Sequence, residues 1–82
     1  ATHFTFFLTR PVDRFNLKIY TVAGRLIQEI ELPNTQVGFN KIPWNGLDAD
    51  GDPLANGIYL YKAIARSEGQ TVEVIQKFGV AR

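Results

Sequence analysis

Asp48-Ala49-Asp50-Gly51-Asp52 is the one run in this sequence whose residue types and spacing could do chemistry. Carboxylates at alternate positions can converge on a hard cation such as Ca²⁺, and the first three ligand positions of an EF-hand loop have this spacing. The correspondence then fails. Pro53 stands where that loop needs glycine at its sixth position, Tyr59 stands where it needs a bidentate glutamate at its twelfth, and no helical pattern flanks the run. The run also has a structural reading, because Asp makes tight turns by bonding nearby backbone N–H groups and Gly by its permissive backbone. The turn is the favoured reading; a weak Ca²⁺ site at Asp48, Asp50 and Asp52 is the alternative.

Other candidates carry less. His3 is the single histidine and alternates onto the face of Thr5, which predicts an exposed strand residue rather than a general base. Ser67 has no histidine near it and sits among turn residues. A pair of carboxylates can hydrolyse glycosides, but Asp48 to Asp52 share one polar loop, and the sequence gives no sign of the pocket that separates a raised pKa from a lowered one. Tyr59 and Tyr61 could line a sugar or peptide groove; as alternate residues of an apolar strand they are expected in the core. The reading is of no catalytic residue and no cofactor.

The elements that would position these residues are strands. Thr2 to Thr9 alternates Phe4, Phe6 and Leu8 against His3, Thr5 and Phe7, and Phe15, Leu17 and Ile19 alternate with Asn16, Lys18 and Tyr20. Arg10-Pro11-Val12-Asp13 breaks the first from the second, and Thr21-Val22-Ala23-Gly24 is a turn whose Gly24 supplies a positive φ. In the next strand Leu26, Ile30 and Leu32 are expected on one face and Glu29 and Glu31 on the other, with Gln28 and Ile27 out of place. A bulge or packing on both sides would explain them.

Pro33 to Gly38 is a loop, and Phe39 to Trp44 is a short strand that Pro43 marks as an edge or a bulge. Ile58 to Arg66 is apolar on both faces, which predicts a central strand covered on both sides. Ser67-Glu68-Gly69-Gln70 is a hairpin loop with Gly69 in the left-handed position. The last strand alternates Val72, Val74 and Phe78 with Thr71, Glu73, Ile75 and Lys77 and runs towards Val80.

No window shows the helical period. Six or seven short strands separated by turn signals predict an all-β fold, an antiparallel β-sandwich, with a small closed barrel as the alternative. At 82 residues the chain is expected to be one domain, residues 1–82, with one core. Zero cysteines exclude disulfide or thiolate-metal support. Nine Lys/Arg against eight Asp/Glu, spread along the chain, make a poor footprint for nucleic acid, and no apolar run reaches the roughly 20 residues of a membrane span. The abrupt start inside a strand suggests a piece of a longer protein.

Three spaced motifs carry a resemblance. Leu17-Lys18-Ile19-Tyr20 with Ala23-Gly24-Arg25-Leu26-Ile27, Trp44-Asn45-Gly46-Leu47-Asp48-Ala49-Asp50-Gly51, and Leu54-Ala55-Asn56-Gly57-Ile58-Tyr59-Leu60-Tyr61 resemble the FlgD-type immunoglobulin-like domain. That family occurs in the flagellar hook-capping protein and at the C-termini of secreted bacterial proteins. The resemblance implies an immunoglobulin-like sandwich in which Gly24, Trp44, Gly46, Gly51, Gly57, Tyr59 and Tyr61 are a structural signature. Asn45 and Leu47 depart from the Asp and Arg usual there.

Within the family, Thr2-His3-Phe4-Thr5-Phe6 and Arg10-Pro11 resemble the C-terminal module of gingipain-type cysteine peptidases, in particular the sortase-like peptidase of type IX secretion. This closer likeness implies a non-catalytic accessory domain at the C-terminus of a secreted or cell-surface bacterial protein. Its partners would be the preceding domain and secretion or envelope proteins. The alternatives are a subunit-contact module like that of the hook cap, or a β-sandwich that binds Ca²⁺ or carbohydrate weakly.

Overall fold

The computed structural model describes residues 2–10, 12–32 and 35–81, without the side chains of Thr2 and His3. The described residues form six strands in chain order: β1 (Thr2–Leu8), β2 (Arg14–Thr21), β3 (Leu26–Leu32), β4 (Gly38–Trp44), β5 (Gly57–Ser67) and β6 (Gln70–Val80). They make two antiparallel sheets, one of order β1-β4 and one of order β3-β2-β5-β6. The two sheets share no ladder, so the closed-barrel alternative is excluded and the fold is a sandwich.

Alternation fixes which side chains meet between the sheets. Phe15, Leu17 and Ile19 of β2, Ala63 of β5, and Ile42 and Trp44 of β4 are buried, and Phe4, Phe6 and Leu8 of β1 pack against them. One cluster gathers on Phe15, Leu17, Ile42 and Ala63, and the other on Ile19, Trp44 and Leu54; Phe4 and Ile30 touch both. The aromatic share is large. Phe4 lies 5.8 Å from Trp44, 5.3 Å from Tyr61 and 5.5 Å from Phe78, ring centre to ring centre.

The irregularity in β3 is a bulge. Ile19 pairs with Gln28 but Tyr20 with Leu26, which leaves Ile27 unpaired in the ladder. The extra residue reverses the alternation, so Ile27 turns inward onto the Trp44 cluster while Leu26, expected inside, is 47% exposed.

Strand β5 is central, between β2 and β6, as its composition predicts; its outer face is covered at Ile64, 7% exposed, and open towards its start. Tyr59, Tyr61, Ala63 and Ala65 face the second sheet, whereas Ile58 on the opposite face is 56% exposed and Leu60 half-exposed. Strand β4 is an edge, as Pro43 predicts, because its sheet has only one other strand.

A buried polar side chain ties down the chain before β4. Asn40 donates to the carbonyls of Gln36 (2.8 Å) and Gly38 (3.3 Å) and accepts the Gln36 N–H at 3.0 Å, so its burial leaves no polar atom unpaired. The Thr35 hydroxyl bonds the Val12 backbone and links the β1–β2 and β3–β4 connections. Pro11, Pro33 and Asn34 of those connections lie outside the described residues.

Candidate functional site

The stretch from Trp44 to Tyr61 carries the chain from one sheet to the other, and its aspartates are placed for turning. The Asp48 N–H donates to the Asp52 carbonyl (2.8 Å) and the Gly51 N–H to the Asp48 carbonyl (3.1 Å). The Asp48 Oδ1 then accepts the N–H groups of both Asp50 and Asp52 at 2.9 Å. Turn Thr21–Arg25 is built on the same plan. There the Thr21 N–H donates to the Arg25 carbonyl, the Gly24 N–H to the Thr21 carbonyl, and the Thr21 hydroxyl accepts the Arg25 N–H at 3.0 Å. In both, a tight turn ends on a glycine of positive φ, +96° at Gly24 and +86° at Gly51, which a side chain would strain.

Asp48 therefore does in its turn what a threonine does in the other. Asp50 and Asp52 point into solvent, and among the described residues no group of three or more His, Cys, Asp or Glu side chains could hold a metal ion. One oxygen of the Asp48 carboxylate is already committed to two backbone donors.

The turn is docked on the β3 bulge. The Ala49 N–H donates to the Ile27 carbonyl at 2.9 Å, and the Leu47 carbonyl accepts from two side chains, Trp44 Nε1 at 3.0 Å and Gln28 Nε2 at 3.4 Å. Leu54 then enters the Trp44 cluster, 7% exposed. Asn45 explains its own departure from the family pattern: its Oδ1 accepts the Leu47 N–H at 3.0 Å, a role Asp fills equally, and Leu47 contributes chiefly its carbonyl. Sequence reasoning read Gln28 only as an apolar face interrupted. That interruption was the available signal, since a polar residue on an inward face needs a partner.

The tyrosines are part of the core. Tyr59 donates its hydroxyl to the Ala55 carbonyl at 2.7 Å, the contact made by the tyrosine corner of immunoglobulin-like sandwiches. Tyr61 packs between Phe4, Phe6 and Phe78 at 5.3, 5.9 and 6.0 Å. Ser67 closes β5 opposite Gln70, and the His3 side chain lies outside the described residues.

What remains at the surface is apolar rather than reactive. Phe7 and Phe39 are directly opposite in the β1–β4 ladder and point away from the core, 62% and 65% exposed, with their rings edge to face at 5.0 Å. Two open sides separate the sheets. One runs between β3 and β4, lined by Gln28–Glu31 and Pro43–Asn45; the other runs between β1 and the β5–β6 hairpin, lined by Phe7–Arg10 and Val12 on one wall and Ala65, Ser67, Gln70 and Val72 on the other.

Comparison with known proteins agrees with this architecture. The sequence profile of the FlgD Ig-like domain matches residues 1–69. Among solved structures, the crystal structure of FlgD from P. aeruginosa superposes with a TM-score of 0.79 at 19% identity, over 94% of this chain. The chain spans only 60% of that structure's length. No curated protein sequence matches. Neither match concerns a gingipain-type module.

Proposed function

Since the chain belongs to the FlgD Ig-like domain family, we propose that it is a non-catalytic assembly module that makes contacts between protein subunits, as a hook-capping domain does. The observation that carries this reading is the Phe7–Phe39 pair. Two aromatic rings held face-outward on a sheet of only two strands bury nothing within the domain, and aromatic side chains are the residues that most often anchor protein contacts. The Asp turn and the tyrosines are occupied with structure. On this reading the domain works at the exterior of a bacterial cell.

The test is Phe7→Ser with Phe39→Ser in the full-length protein. Loss of the native complex, with domain stability lowered by no more than about 1 kcal/mol, the worth of one cross-strand aromatic pair, supports the reading. Unaltered complex formation overturns it.

A finer assignment, to the C-terminal accessory domain of a gingipain-type peptidase, rests on Thr2–Phe6 and Arg10-Pro11 alone. Phe4 and Phe6 have a sufficient structural reason, since both pack into the core. A peptidase domain encoded upstream supports that assignment, and its absence removes it.

A further inference from the structure

The two sheets are unequal, and the mismatch falls on one side. Phe4 and Phe6 of β1 lie over Phe15 of β2, Tyr61 of β5 and Phe78 of β6, while Trp44 of β4 packs with Ile19, Ile27 and Ile30 of β2 and β3 and touches Phe78 near the end of β6. The sheet of β1 and β4 thus stops above β5 and the end of β6. Val72 and Val74 pair across the ladder with Ala65 and Ala63, so they share the inward face, yet they are 61% and 43% exposed while Ala63 is buried. Val72 lines one groove with Phe7–Arg10 at the end of β1, and β1 has no strand on its second edge among the described residues. One strand added there, about 4.8 Å from β1 and about 10 Å above β6, would cover both valines.

The chemistry of the opening selects its occupant. An edge with unpaired N–H and C=O groups accepts another backbone in extended form. The groove holds about 270 Å³. Its lining contains one charge, Arg10, and no carboxylate, and no ion pair to Arg10 is present among the described residues. A second copy of the domain fits poorly. Its β1 would arrive with its own four-stranded sheet about 10 Å beneath, in space that β6 already fills.

We propose that this side is a strand-acceptor site. It takes one extended segment of a partner subunit, of about the length of the 7-residue β1, paired along the free edge of β1. Alternate apolar side chains of that segment cover Val72 and Val74, and a carboxylate at one end meets Arg10. The proposal rests on the assembly reading for the source of the segment and on its own geometry for the site.

The probe is a synthetic peptide of alternating threonine and valine that ends in glutamate, added to the ¹⁵N-labelled domain. With free peptide at tenfold its Kd, amides on the open edge of β1 are expected to exchange about tenfold more slowly. Val72→Asp, at an exposed position, abolishes the effect, and Val22→Asp, in the exposed β2–β3 turn, leaves it. Arg10→Glu weakens the glutamate peptide and favours one ending in lysine. No protection in β1, protection on the outer edge of β6 instead, binding that survives Val72→Asp, or dimerisation through β1 would each overturn the site. If the peptide binds while the Phe7 and Phe39 variants still assemble, the site stands and the assembly reading falls. If it does not bind while those variants fail to assemble, only the site falls.

Discussion

Gln28 and Trp44, on different sheets, donate to the same acceptor, the carbonyl oxygen of Leu47. That shared bond holds the chain where it leaves one sheet for the other, and the Ala49 N–H to the Ile27 carbonyl fixes the same crossing from the bulge side.

Trp44→Ala is expected to cost about 3–5 kcal/mol, the range for deleting a buried aromatic, and to unfold much of the population of so small a domain. Trp44→Phe keeps most of the packing and gives up the bond to Leu47, a loss of about 1–3 kcal/mol. Urea midpoints measure both; an unchanged midpoint for the alanine variant would place Trp44 outside the core.

Asp48, Asp50 and Asp52 are not equivalent. Asp48→Ala removes the acceptor of two backbone N–H groups and is expected to cost about 0.5–2 kcal/mol, as the loss of a helix cap does, while Asp50→Ala and Asp52→Ala stay within about 0.5 kcal/mol. Thermal melts of the parent domain with and without millimolar Ca²⁺ are expected to coincide. Three equal losses, or a calcium-dependent rise in Tm, would restore the metal reading.

The β5–β6 turn contains Glu68 at φ +49° and Gly69 at φ +78°, so both central residues are left-handed, whereas sequence singled out only the glycine. Glu68→Asn supplies the Asn-Gly pair this turn prefers and is expected to stabilise by up to about 1 kcal/mol. The Asp13 carboxylate, which accepts the Glu68 backbone N–H at 3.3 Å, keeps its partner in that variant. A lower Tm would contradict the turn assignment.

In hydrogen exchange, amides of β4 are expected to exchange at least about tenfold faster than those of Leu17 in β2 and Ala63 in β5, because β4 is an edge of a two-stranded sheet and the others are interior to four. Equal protection would contradict the topology.

Much of this was legible along the chain. Phe4, Phe6, Phe15, Leu17, Ile19, Ile42 and Trp44 sit where period-two alternation puts them, because a strand's side chains change face at every residue whatever lies around it. Gly24 and Gly51 were legible as turn residues for an equally local reason, the φ that only glycine adopts at no cost. The Asp turn was legible as a turn, though not its likeness to Thr21–Arg25, which emerges only from matching hydrogen bonds.

The sequence by itself therefore determined the strands, their inward residues outside the first half of β3, and the turns, all consequences of geometry within a few residues. The tertiary structure alone decided three things. It placed the bulge at Ile27, which turned Leu26 outward, because a ladder's register belongs to both strands. It gave Gln28 its partner on the crossing loop. It divided the six strands into two and four, which left Val72 and Val74 without cover. How many strands each sheet holds depends on pairing between distant segments, and a residue's burial depends on what lies above it as well as on the face it occupies.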